Sequence, residues 1–202
     1  SSAADAARGA QLVVIATPVG ATRATLAAIA PTLADDAIVT DVGSTKGSVL
    51  ADARAALAGA FPRFVPAHPI AGGERPGVAH ADGALFRDRW VITTPVDATQ
   101  ADALARVEQL WRATGARLRR MPADDHDRLF AAVSHLPHVL AFALVDMIAR
   151  APRADDCLAL AGAGFRDFTR IAASSPRMWR DICIANQAAL GAELRNYRAQ
   201  LE

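Results

Sequence analysis

Five histidines are the groups in this chain best suited to proton transfer near neutral pH, and their settings differ. His68 lies in Pro66-Ala67-His68-Pro69-Ile70-Ala71-Gly72, between two prolines that oppose both helix and mid-sheet placement. A histidine held on so stiff a segment beside a cleft can serve as a general base. The plainer alternative is a structural hydrogen bond. His135 and His138 stand three apart in Ser134-His135-Leu136-Pro137-His138, a spacing that puts both on one helical face. Next to a helix-breaking proline they suggest the lining of a cavity. They lack an HExxH or ExxH pattern and a thiolate partner, so no metal is expected there. His80 sits in a polar stretch and reads as exposed. His126, in Asp124-Asp125-His126-Asp127, reads as a solvated helix start.

Two loops and one helical stretch complete the chemistry-bearing set. Thr17-Pro18-Val19-Gly20 follows one apolar run, and Asp41-Val42-Gly43-Ser44-Thr45-Lys46 follows the next. In doubly wound sheets ligands bind off the carboxyl ends of the strands. Gly43 permits close backbone approach, and the helix start after it offers N–H groups to an anion or a ribose. Two ordinary strand-to-helix turns are the alternative. In Gly164-Phe165-Arg166-Asp167-Phe168-Thr169-Arg170, Arg170 can fork two hydrogen bonds to a carboxylate and Asp167 can orient it. A surface ion pair would look the same. No GxSxG or Walker pattern occurs.

The elements that must position these residues follow from periodicity. The β-branched apolar run at 12–16 and the segments 37–40, 90–94 and 117–121 read as strands, and 63–65 as a short extended piece. Helical patterns at 22–33, 45–57 and 97–114 alternate with them, which favours an α/β domain with a mostly parallel sheet. After Pro122 the strand signals end. Residues 124–150 read as an apolar helical stretch that Pro137 should kink or break, and 177–200 as a long helix capped by Ser175 with Pro176 in its first turn. The expected division is therefore 1–121 and 122–202. The strand–GxGxxG–helix unit that opens most dinucleotide folds is not present; Gly162-Ala163-Gly164 is the nearest glycine pair and follows no strand. One βαβ unit is expected upstream of Ser1.

Bulk properties narrow the classes. Of the 202 residues 52% are apolar, many of them alanine, so the core must rest on Leu, Ile, Val, Phe and Trp. The net charge of +1, with no long single-sign block, gives no basis for a nucleic-acid or membrane-surface partner. No apolar run is expected to reach the roughly 18–20 residues of a membrane span, and no signal peptide is visible. Cys157 and Cys183, far apart and without CxxC spacing, read as two buried or half-buried free thiols suited to a reducing cytoplasm.

Six segments in order carry a resemblance: Ala16-Thr17-Pro18-Val19, Asp41-Val42-Gly43-Ser44-Thr45-Lys46, His68-Pro69-Ile70-Ala71-Gly72, Asp124-Asp125-His126-Asp127, Ser134-His135-Leu136-Pro137-His138, and 164–170 with Met178-Trp179 after it. Together they resemble the prephenate/arogenate dehydrogenases over nearly the whole chain. The resemblance implies a truncated Rossmann-type α/β domain followed by an all-α dimerisation domain. It implies oxidative decarboxylation of prephenate or arogenate with NAD or NADP, a small-molecule substrate, a homodimer and a cytoplasmic enzyme. It assigns His68 as the base that takes the ring hydroxyl proton and Ser44 as the serine near that hydroxyl and the nicotinamide. His138, Arg170, Glu74, Ser134 and Asp167 fall to the substrate; Thr17, Pro18, Val19, Asp41, Gly43 and Ser44 fall to the cofactor. Two departures stand out: Gly73 where many relatives have Thr or Ser, and Ala163 within what is often a glycine triplet. The rivals are a β-hydroxyacid-type dehydrogenase and a non-catalytic dimerisation module. The first would place a catalytic lysine in the helical half, whereas the only lysine is Lys46.

Overall fold

The structure is a computed structural model that describes residues 2–72 and 78–202. It divides into two compact units, one made of 2–72 and 78–127 and the other of 128–202. The division thus falls six residues beyond the sequence-based one, because the first turns of the helix Ala123–Phe130 (α5) belong to the α/β unit.

In the first unit, helix α1 (Ala3–Ala7) is closed by a capping box between Ser2 and Asp5. Strands β1 (Leu12–Ile15), β2 (Ile38–Asp41) and β3 (Phe64–Val65) form one parallel sheet in that order. Strands β4 (Ala67–Pro69), β5 (Trp90–Thr93) and β6 (Arg117–Arg120) form a second, in which β4 runs antiparallel to β5 and β6 parallel to it. Three of the four pairings are parallel, as the alternating pattern required, and Pro66 marks the break between the two ladders.

The period-2 alternation of the strands decides which helix covers which face. Val39 and Phe64 pack with Leu26 and Ile29 of α2 (Thr22–Ile29) and Val49, Ala53 and Leu57 of α3 (Gly47–Leu57). Ile38, Val65 and Val91 pack on the other side against Ala103, Leu104, Val107 and Trp111 of α4 (Ala101–Ala113). Each fully buried Leu, Ile or Val contributes about 1.5–3 kcal/mol relative to exposure. The helix expected at 97–114 starts only at Ala101, because Val96 and Thr99 close a turn on each other ahead of it.

The second unit is all α-helical among the described residues. A π turn at Ala131–His135 precedes α6 (Leu136–Ala149), and Pro137 does not break the run as expected. The wider turn places Pro137 in the first turn of α6, where a missing N–H is tolerated. The result is one continuous helix from Ala123 to Ala149, long and apolar enough by length and composition to cross a membrane, which corrects the reading of this run as too short. Helices α7 (Ala154–Ala159) and α8 (Ala163–Thr169) pack on α6. The helix expected at 177–200 is two, α9 (Pro176–Ala185) and α10 (Gln187–Leu201). Asn186 leaves helical geometry between them and its side chain reaches His135 Nδ1 at 3.1 Å. Ser175 caps α9 through the N–H of Met178 and Pro176 opens it, as the sequence indicated.

Candidate functional site

The first cluster is built where β2 ends. Asp41 is 2% exposed, and its carboxylate is fully engaged within the unit. Oδ1 accepts the Ala67 N–H at 3.0 Å; Oδ2 accepts the Gly43 N–H at 2.8 Å and pairs with Lys46 Nζ. Lys46, fully buried, also donates to the Ala67 carbonyl at 2.7 Å. Burial pulls the Lys46 ammonium below its usual range, with the Asp41 charge opposing this. Both polar main-chain atoms of the residue before His68 are therefore clamped by one ion pair. A Cβ on Gly43 would lie 2.9 Å from Asp41 Oδ2. The glycine makes room for this carboxylate, and within the described residues Asp41 organises the loop.

His68, half-buried on β4, lies at one end of a chain of imidazoles. Its Nδ1 is 2.8 Å from His126 Nε2, and His126 Nδ1 is 2.8 Å from Asp127 Oδ1. His126 is fully buried, which corrects its reading as part of a solvated helix start. The acidic side chains around it suggested solvent, but one of them, Asp127, folds back as its partner. Burial lowers the pKa of His126 despite the opposing pull of Asp127. Burial alone would raise that of Asp127. Hydrogen bonds from His126, Lys46 N–H and Gly47 N–H outweigh this and hold the carboxyl below its ordinary value.

Those two main-chain donors are the opening N–H groups of α3. Asp127 accepts Lys46 N–H at 2.7 Å and Gly47 N–H at 2.8 Å, so a residue from α5 caps a helix that has no cap of its own. The expectation that this helix start offers these groups to a ligand is corrected: the protein's own carboxylate fills the place. Ser44 is half-buried in the same loop, between Gly43 and Lys46.

At the end of β1, Thr17 is half-buried with its hydroxyl 3.5 Å from that of Thr25, Pro18 is exposed, and Val19 is buried. The Val19 side chain reaches within 3.6 Å of the Cβ position of Gly43, so the two strand-end loops lie side by side as the parallel register of Ile15 with Asp41 requires.

Within the second unit, His135 and His138 share a helical face and both meet Trp179 of α9. The His138 ring stacks on the indole with centroids 3.5 Å apart. His138 Nδ1–H donates to the Ser134 carbonyl at 2.9 Å, and burial pulls its pKa down. His135 is 1% exposed and bonded to Asn186, so it belongs to the core and not to a cavity lining. Asp167 on α8 and Arg170 in the following 3₁₀ turn are exposed, and that turn packs against α6, the helix that carries His138. Glu74 and Gly73 lie outside the described residues. Sequence reasoning missed His126, Asp127 and Lys46 as parts of the cluster; a sole lysine in a strand-end loop was the available signal.

Comparison with known proteins agrees along the full chain. The family profile described as prephenate dehydrogenase, nucleotide-binding domain, matches residues 1–120, and that described as prephenate dehydrogenase, dimerization domain, matches residues 122–202. The chain belongs to the prephenate dehydrogenase family. It is 39% identical to a cyclohexadienyl dehydrogenase of Zymomonas mobilis, covering 98% of this chain and 68% of that protein. It is 38% identical to a prephenate dehydrogenase of Bacillus subtilis, covering 87% of this chain and 47% of that protein. A solved prephenate dehydrogenase from A. aeolicus, in complex with hydroxyphenyl propionate and NAD+, superposes with a TM-score of 0.88 at 38% identity, covering 95% and 66% of the two chains. The chain thus spans between about half and two thirds of these relatives' lengths. The prephenate dehydrogenase fold, a Rossmann-like domain followed by a helical one, is the fold found here.

Proposed function

We propose that the protein oxidatively decarboxylates prephenate, or its amino analogue arogenate, to 4-hydroxyphenylpyruvate or tyrosine, as a step of tyrosine biosynthesis. The observation that carries this reading is the clamp on Ala67, which holds His68 rigidly beside the loop that contains Ser44. A base whose proton transfer develops in the transition state must be fixed before the reaction begins.

NAD(P)+ supplies the hydride acceptor when bound. The adjoining loops at Thr17–Val19 and Gly43–Ser44 fit the nicotinamide end of such a molecule, with a half-buried hydroxyl and a loop of small residues at the carboxyl ends of neighbouring strands. His68 accepts the proton of the ring hydroxyl as hydride leaves the same carbon. The ring carboxylate departs as carbon dioxide, its bonding electrons complete the aromatic ring, and the proton held by His68 returns to the aromatic oxygen. Ser44 stands near that oxygen. His138, its pKa lowered by burial and its Nδ1–H given to Ser134, has an accepting Nε2 to offer the substrate, and the family resemblance assigns Arg170 and Asp167 to the substrate carboxylate. The family resemblance also assigns Glu74, which lies outside the described residues, to the substrate.

The exposed apolar side chains Val133, Met147, Ile184 and Leu201 of the helical unit support a homodimer, and the exposed free Cys157 suits a cytoplasmic location. A monomeric mass at micromolar concentration in sedimentation would exclude the dimer. NADH or NADPH formation is the direct test, with prephenate and arogenate each paired with NAD+ and NADP+, in this chain and in the protein at its full natural length. Turnover in any pairing supports the activity, and silence in all of them rejects it.

A further inference from the structure

The proton positions along the imidazole chain can be worked out from one end. An ionised carboxylate only accepts hydrogen bonds, so at the 2.8 Å contact His126 Nδ1 must carry the proton. A neutral His126 then has a bare Nε2. At the 2.8 Å contact with that Nε2, His68 Nδ1 must be the donor. A neutral His68 with its proton on Nδ1 has its lone pair on Nε2. The chain therefore sets the tautomer of His68, and it does so from a carboxylate that is itself immobilised by two main-chain donors.

We propose that His126 and Asp127 are positioning residues of the base: they fix His68 with an accepting Nε2 and stabilise the imidazolium that forms when it takes a proton. This rests on the reading of His68 as the base. The logic is that of a carboxylate orienting a catalytic imidazole, with a second imidazole interposed. The titratable groups recorded against His126 include His68 from β4, Asp127 from its own helix, Asp41 from the end of β2 and Lys46 from the loop after it. The Lys46 and Asp41 charges offset each other, so the charge that His68 feels along this chain is that of Asp127. The same carboxylate caps α3, which ties the orientation of the base to the helix that follows the Ser44 loop.

The test combines a spectroscopic and a kinetic measurement. Nitrogen NMR of the histidine-labelled protein without ligands should show His68 protonated on Nδ1 and bare on Nε2 at neutral pH, with His126 likewise protonated on Nδ1. His126→Phe removes the acceptor but keeps Asp127 in place as the cap of α3. It should lower kcat about tenfold or more with KM within about threefold, the pattern of an interaction made in the transition state. The acidic limb of its kcat/KM profile should move to lower pH, because His68 loses the support of the Asp127 charge. His126→Gln, whose amide oxygen can still accept from His68, should recover part of the loss and keeps the test open if the phenylalanine variant folds poorly. A His68 ring protonated on Nε2 overturns the proposal, and so does a folded His126→Phe protein with wild-type kcat and pH profile. If the tautomer is as stated but no substrate pairing gives turnover, the proposed activity fails and the proton arrangement stands.

Discussion

Replacing Lys46 by methionine tests the clamp on which the site depends. Methionine keeps most of the side-chain volume and removes the charge. Asp41, 2% exposed, is then a buried carboxylate without its counterion, and the Ala67 carbonyl loses its side-chain donor. Removing one partner of a buried pair costs about 3–5 kcal/mol. Asp41 keeps the N–H groups of Ala67 and Gly43, which puts the expected loss near the lower end, about 3 kcal/mol, or roughly a hundredfold in the folding equilibrium. Urea unfolding followed by tryptophan fluorescence and circular dichroism would read it as a lower midpoint at constant slope. The double variant Asp41→Asn/Lys46→Met should lose less than the sum of the single variants by about 1–3 kcal/mol. A single-variant loss below about 1 kcal/mol, or strict additivity in the cycle, would refute the buried ion pair as the organiser of this loop.

His68→Asn should cut kcat strongly while leaving substrate affinity within about tenfold, because the proton transfer develops in the transition state; wild-type turnover would remove His68 as the base. Arg170→Ala should mainly raise KM, and an unchanged KM would take Arg170 out of the substrate pocket. Asn186→Leu should destabilise the helical unit by about 1–3 kcal/mol, since the buried hydrogen bond to His135 at 3.1 Å is lost; an unchanged thermal midpoint would show that bond to be dispensable. Stability should fall as pH drops below the ordinary histidine value of 6.5, where the unfolded chain protonates His126 and the folded chain, with its lowered pKa, resists. It should fall again below 3.8, as the pH drops through the lowered pKa of Asp127. Thermal midpoints against pH would check this, and a flat profile from neutral down to pH 4 would contradict the burial of His126.

By itself the sequence determined the alternation of strands and helices up to Arg120, the helical remainder, the strand-end positions of Thr17–Val19 and Gly43–Ser44, and the rigid setting of His68 between prolines. These are local: hydrophobic period, turn residues and proline geometry act within a few residues, and they are written into the chain. Tertiary structure decided the rest. Lys46 and Asp41 look like ordinary polar loop residues until Ala67 closes over them. His126 looks solvated among acidic neighbours until its ring meets His68 from another element. The opening N–H groups of α3 look available until a carboxylate 80 residues later in the chain, Asp127, takes them. Asn186 interrupts a continuous helical pattern because His135, distant in sequence, offers a buried partner. A buried polar group must find a hydrogen-bond partner, and periodicity carries no information about which distant residue will supply it. That satisfaction is settled only when the elements pack, and in this protein it is what sets the proton positions around His68.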